Sequence, residues 1–268
     1  MFYGLMILIF LIIIQSKGQV YISNCSDLMN ITNSNISGCY YLINDIDMLK
    51  CSLNNGSTFS PIGNSSQPFC GYFDGLNHTI SNLFYSSSTQ QYIALFGYAK
   101  NATFSNTILY NAQIGGTNYT ASLVGYATNT LIVNCHLTGN STSPNKITAQ
   151  GNYGAGIVGF MSNSNITNCT VANSCITCTM QECGGIAGHC ANGFVEGCYN
   201  FGVYNNPSAS IVSSQQNAGG VIGRACNSCF SKCGTFQGNI SSTKVAAGNQ
   251  NKNQSFLFRL TDKLQLKV

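Results

Sequence analysis

"ASLVGYATNTLIVNCHLTGN" (residues 121–140) sets a glycine beside an aromatic residue, Gly125–Tyr126, and an asparagine–cysteine pair, Asn134–Cys135, nine residues after the glycine. With Gly125 as origin, equivalent glycines stand at Gly97, Gly159, Gly188 and Gly223. Two residues before them lie Leu95, Leu123, Ile157, Ile186 and Val221, and seven after lie Phe104, Ile132, Ile166, Val195 and Phe230. Nine after come Asn106, Asn134, Asn168, Gly197 and Lys232; ten after come Thr107, Cys135, Cys169, Cys198 and Cys233. The distance between successive glycines varies while the inner spacing is kept. That is the signature of stacked units joined by loops of unequal length.

The apolar segments are short, rich in Val, Ile, Phe and Tyr, and bounded by turn residues, so they read as brief strands. No unit this small buries its own apolar face, so copies must stack. Parallel stacking places equivalent residues about 4.8 Å apart and turns each column into a ladder. The glycine column then admits a close backbone approach that a Cβ would block. Two upstream segments, "GCYYLINDIDM" (38–48) and "GYFDGLNHTISNLFY" (71–85), each read as strand, turn, strand. The expectation is an all-β parallel helix of about seven coils.

"YYLINDIDM", "FSPIG", "FCGYFDGLNHTISNL" and the series "IALFGY", "ASLVGY", "AGIVGF", "GGIAGH" together resemble the GLUG-motif repeat proteins, over roughly residues 38–240. That family includes adhesin-like surface proteins and the N-terminal repeat regions of immunoglobulin-A-cleaving metallopeptidases. The resemblance implies a right-handed parallel β-solenoid at or outside the cell surface, and it transfers no catalytic residues.

Composition limits the alternatives. Charged residues are 7% of the 268-residue chain, against about 25% in ordinary soluble domains. The net charge of +4 is carried by the tail, where Lys244, Lys252, Arg259, Lys263 and Lys267 face only Asp262. This leaves no broad basic face for nucleic acid. The apolar run at 5–14, followed by small residues, reads as a signal peptide over 1–18, too short to span a bilayer, so no transmembrane span is expected after its cleavage. The remaining organisation is an N-terminal cap and first coil over 19–70, repeats over 71–240, and a C-terminal cap or basic tail over 241–268. Within that tail, "SFLFRLTDKLQLKV" is read as a closing strand.

Fourteen cysteines point to an oxidising compartment. In the cysteine column the coil spacing falls within the Cα separation of a disulfide, which predicts Cys135–Cys169 and Cys198–Cys233, with Cys169–Cys198 as the other register. Proximity in sequence pairs Cys25 with Cys39 and Cys51 with Cys70. The Cys-x2-Cys pairs in "CITCTMQEC" (175–183) and "CNSCFSKC" (226–233), with His189, offer a zinc alternative, set aside in favour of disulfides; no metal or cofactor is expected. Sequons abound, and Asn55, Asn64, Asn101, Asn118, Asn140 and Asn239 are the expected glycan acceptors, with Asn168 held inside the ladder as a poor one. Tyr98, Tyr126 and Phe160 form an aromatic file, ending at His189 and Arg224, that could offer a ligand face to sugar rings; lateral packing against loops or glycans is the favoured reading.

The function expected is a non-catalytic adhesion or interaction scaffold with an extracellular protein or glycan as partner. The rival is a carbohydrate-active enzyme, since parallel β-helices also carry lyases and glycosidases, which need two or more carboxylates a few ångströms apart. Of seven acids, Asp45, Asp47 and Asp74 are the only set that coil stacking gathers. Asp45 and Asp47 share one strand face, with His78 nearby; the favoured reading is that Asp74–Gly75 forms a turn and that Asp45 and Asp47 bond backbone at the capping coil.

Overall fold

The computed structural model describes residues 18–31, 36–55, 59–140, 142–202, 210–235 and 239–244. The expected signal peptide, apart from Gly18, and the expected closing strand in the tail lie outside them. Following the opening stretch shows how a coil is made. The chain runs along Val124–Thr128, turns at Asn129, continues through Leu131–Val133, turns at Asn134, follows His136–Thr138 and then, after a loop, Asn145–Ala149. It returns at Val158–Ser162, in parallel register on Val124–Thr128, with Phe160 opposite Tyr126.

Repetition of this path builds four all-parallel walls. The first carries eight strands, from Gln19–Ile22 to Cys229–Ser231, and the second seven, from Ile46–Asp47 to Gly234–Thr235. The third contains Phe84–Ser86, Gln113–Gly116, Asn145–Ala149 and Ser174–Cys178, and the glycine wall holds five strands, from Phe96–Lys100 to Ile222–Cys226. This all-parallel arrangement fits a β-solenoid. Gln19–Ile22 and Cys39–Leu42 belong to the first wall, so the N-terminal segment joins the same stack as the repeats.

The interior is filled by the expected aliphatic columns. Leu95, Leu123, Ile157 and Ile186 are buried, as are Phe104, Ile132, Ile166 and Val195. At the N-terminal end the filling is aromatic, with Phe96 in ring contact with Phe69, Phe73 and Phe104. Gly125 shows why its column tolerates nothing larger: a Cβ there would stand 2.7 Å from both Gly97 O and Tyr119 O.

Asparagine occupies the corners because they require positive φ. Asn106, Asn134 and Asn168 have φ of 48°, 53° and 53°, and Gly197 and Lys232 continue the column at 61° and 51°. Asparagine enters this region more readily than other residues with a Cβ. Its amide also links coils: Asn134 Nδ2 donates to Asn106 Oδ1 at 3.1 Å, and Asn129 Nδ2 to Asn101 Oδ1 at 3.2 Å.

The N-terminal end adds two short helices, α1 (Cys25–Met29) and α2 (Met48–Asn55). They correct the first cysteine pairing, because Cys25 on α1 is bonded to Cys51 on α2 with the Cα atoms 5.9 Å apart. Cys39 instead starts a strand of the first wall, in register with Tyr72, so neither Cys25–Cys39 nor Cys51–Cys70 forms. A second bridge, Cys178–Cys183, ties the end of one strand of the third wall to the next and takes two cysteines from the zinc alternative.

The expected rungs Cys135–Cys169 and Cys198–Cys233 are corrected as well, as is the Cys169–Cys198 register. These residues are stacked, but as thiols. Each Sγ points to the carbonyl two residues earlier in its own coil: Cys135 to Val133, Cys169 to Thr167, Cys198 to Glu196 and Cys233 to Ser231, at 3.1–3.4 Å. Parallel stacking gives every copy the same side-chain direction, so the sulfurs run side by side. Thr107, first in this column, makes the same bond through its hydroxyl to Ser105 O at 2.9 Å. Burial pushes the Cys169 thiol well up, which keeps it protonated.

Candidate functional site

The aromatic file is double. Tyr98, Tyr126 and Phe160 stack face to face on the glycine wall, with ring centroids 4.6 and 4.8 Å apart. Beside them runs a second file, Tyr92, Tyr119 and Tyr153, stacked at 4.8 and 4.9 Å. Edge-to-face contacts join the two files, as between Tyr119 and Tyr126 at 5.4 Å. This geometry matches the ring quadrupoles, which favour offset stacks and T-shaped pairs.

The second file escaped the column reading because its spacing slips. Tyr119 and Tyr153 precede their glycines by six residues, Tyr92 by five. All three have positive φ, at 62°, 56° and 65°, a region that bulky residues rarely enter. The double stack compensates for that backbone strain. It also occupies the ring faces, so within the stack the tyrosines present edges and hydroxyls, and a sugar ring cannot lie on Tyr126 as a flat platform. Burial raises the phenol of Tyr119 to about 12, and neighbouring tyrosines add to the shift.

Toward the C-terminal side the files change chemistry. His189 stacks on Phe160 at 4.7 Å, and Arg224 is the next register partner. Glu182 takes the place of a tyrosine in the second file, at φ 65°. Its carboxylate is buried at 2% exposure, with His189 Nδ1 2.7 Å from Oε2 and Arg224 Nη1 donating to Oε1 at 2.8 Å. Burial opposes ionisation of Glu182, but the hydrogen bonds from His189 and Arg224 together hold its carboxyl below the usual range.

The three aspartates divide. Asp45 Oδ1 accepts from the Thr79 amide at 2.8 Å and faces His78 Nδ1 at 3.2 Å. Asp47 Oδ1 accepts from the Leu49 amide at 3.1 Å and from Asn82 Nδ2 at 2.8 Å. Both line a groove of about 780 Å³ between the two helices and the second wall. Asp74 is on the first wall, outside that lining and buried, where it accepts from Tyr72 OH at 2.8 Å, the Leu76 amide at 2.9 Å and Asn106 Nδ2 at 3.0 Å. Asp45 and Asp47 thus share the groove as neighbours within one coil, and stacking does not bring Asp74 to them. The Thr79 amide holds the Asp45 carboxyl low, with His78 adding to the effect.

Among the expected glycan acceptors, Asn64, Asn101 and Asn140 are exposed and Asn118 is partly exposed, its Oδ1 accepting from the Asn152 amide at 2.8 Å. The side chains of Asn55 and Asn239 lie outside the described residues. Asn168 is exposed at a corner, contrary to its expected place inside the ladder, because positive φ turns the corner residue outward.

No helix among the described residues is long and apolar enough to cross a membrane. No family model matches the chain. It is 36% identical over 135 residues to halomucin of Haloquadratum walsbyi, a match covering 47% of this chain and 2% of halomucin, so it spans a small fraction of that relative. In fold it is similar to the crystal structure of a candidate immunoglobulin A1 protease from Bacteroides ovatus, with a TM-score of 0.62 and 22% identity over 81% of this chain and 67% of that one.

Proposed function

We propose that the chain is a secreted or cell-surface glycoprotein of the GLUG-repeat kind, a right-handed β-solenoid of about seven coils that acts as a non-catalytic adhesion or interaction scaffold. The observation that carries this reading is how the three aspartates are used. Asp74 is buried in a bond network, Asp47 terminates an amide ladder, and Asp45 is held ionised by a backbone amide. A glycosidase acid in the place of Asp45 needs the opposite, a carboxyl kept protonated near neutral pH. The similarity to halomucin and the two disulfides support an extracellular setting.

The test is to present the purified full chain to intact cells and extracellular matrix, and in parallel to a panel of polysaccharides. Retention on a cell or matrix surface without release of reducing ends is the expected result. Polysaccharide cleavage that disappears in Asp45→Asn or Asp74→Asn overturns the scaffold reading in favour of a carbohydrate-active enzyme.

A further inference from the structure

The groove at the N-terminal end has a chemistry distinct from the aromatic files. Its volume, about 780 Å³, falls within the roughly 300–1,000 Å³ of small-ligand sites. One side is made by α1 and α2, which Cys25–Cys51 holds together, so their relative position is set before any ligand arrives. The other side is the second wall, where Asp47, Ser81 and Tyr110 stand one above another in register.

Asp45 and Asp47 each spend one carboxylate oxygen on holding backbone and neighbour, through the bonds to Thr79, His78, Leu49 and Asn82. Among the described residues nothing bonds their Oδ2 atoms, which remain as oriented acceptors on fixed side chains. Lys50 adds a donor to the same lining. Tyr110, 37% exposed, adds an aromatic surface in the next coil. Fixed acceptors, a donor and an aromatic ring match a molecule that carries many hydroxyls along one edge and C–H groups across its ring. Two carboxylates against one ammonium leave the groove net negative, which disfavours sulfated or uronic sugars. Among the described residues no three carboxylate, thiol or imidazole groups converge as a cation site requires.

We propose that this groove binds a neutral oligosaccharide, with Asp45 and Asp47 accepting from its hydroxyls and Tyr110 packing against a ring. The proposal rests on the non-catalytic scaffold reading and names the chemical class of its partner. The experiment is a binding screen of the full chain against immobilised neutral hexose and N-acetylhexosamine oligosaccharides, alongside their sulfated and uronate-bearing counterparts. Neutral probes are expected to bind, with affinity falling at least about tenfold in Tyr110→Ser and in Asp45→Asn. Ser26→Trp, which places an indole on the exposed groove-side face of α1, should block binding at an unchanged melting temperature. Binding confined to the charged probes, no binding to any neutral probe, or neutral binding that survives all three substitutions overturns the proposal. Retained adhesion to cells by a chain that binds no neutral sugar refutes the groove alone; loss of both refutes the scaffold reading too.

Discussion

The corners at Asn134 and at Tyr119 confront one backbone requirement, φ near +55°, with different side chains. At the amide corners the residue suits the conformation, and its side chain adds a rung to the coil below. At the tyrosine corner the residue opposes the conformation, and neighbouring rings above, below and beside it hold it there. The first kind of corner is specified one residue at a time; the second exists only as a stack. The two ends of the amide and aromatic columns differ in the same sense. The amide ladders end on Asp47 and Asp74, whose Oδ1 atoms accept from Asn82 and Asn106, whereas the second aromatic file gives way to an ion cluster built on Glu182.

The comparison breaks first at Gly125, which packs against the tyrosine corner. Gly125→Val places a side chain against the carbonyls of Gly97 and Tyr119, and it should destabilise by about 3 kcal/mol or more, read by denaturant unfolding. Glu182→Gln should follow at about 2 kcal/mol, below the 3–5 of a fully buried pair because Arg224 is half exposed. The folded carboxyl of Glu182 lies below its ordinary value. Its contribution is therefore complete above the ordinary carboxylate range and is lost as pH falls through the folded value. The gap between wild type and variant should be wide at pH 7 and close on acidification below about pH 4.

Tyr119→Asn separates strain from stacking, because asparagine suits the backbone but lacks the ring. A loss of about 1–2 kcal/mol is expected from the broken stack; a gain in melting temperature would mean that strain, not stacking, dominates that corner. Asn134→Ala should lose about 1–2 kcal/mol, since alanine resists positive φ, while Asn134→Gly keeps the turn and loses only the amide rung. The smallest effect belongs to Cys169→Ser, below about 1 kcal/mol, because a hydroxyl there can make the bond that Thr107 already makes. A loss of about 2–4 kcal/mol, abolished by reductant in the wild type, would instead show that the sulfurs pair in rungs.

Legibility followed how local each cause is. The glycine and aliphatic columns could be read directly because parallel register repeats them; the asparagine column was visible as a spacing, and its positive φ is a feature of the folded corner. Tyr92 was hidden by a single-residue slip in spacing, which only ring stacking in space absorbs. Cys25–Cys51 was missed because two short helices bring together residues that strand pairing keeps apart. Cys178–Cys183 had a local clue in its close spacing, but the column reading assigned sulfurs between coils rather than within one. The aspartates were singled out as one set, yet the structure divides them, because whether a carboxylate is buried, bonded or open to a groove depends on the wall that receives it.

By itself the sequence determined that this chain stacks short strands in parallel, repeats an asparagine at a fixed spacing and keeps a glycine where backbone approaches closely. Each of those features follows from the conformational limits of one residue, repeated. The tertiary structure alone decided that the Asn134–Cys135 pair of the opening stretch carries a thiol and not a rung, that Tyr126 belongs to a double file, and that Asp45 and Asp47 share a groove while Asp74 does not. Side-chain direction and the contents of the neighbouring coil set these outcomes, and neither is encoded within a single repeat.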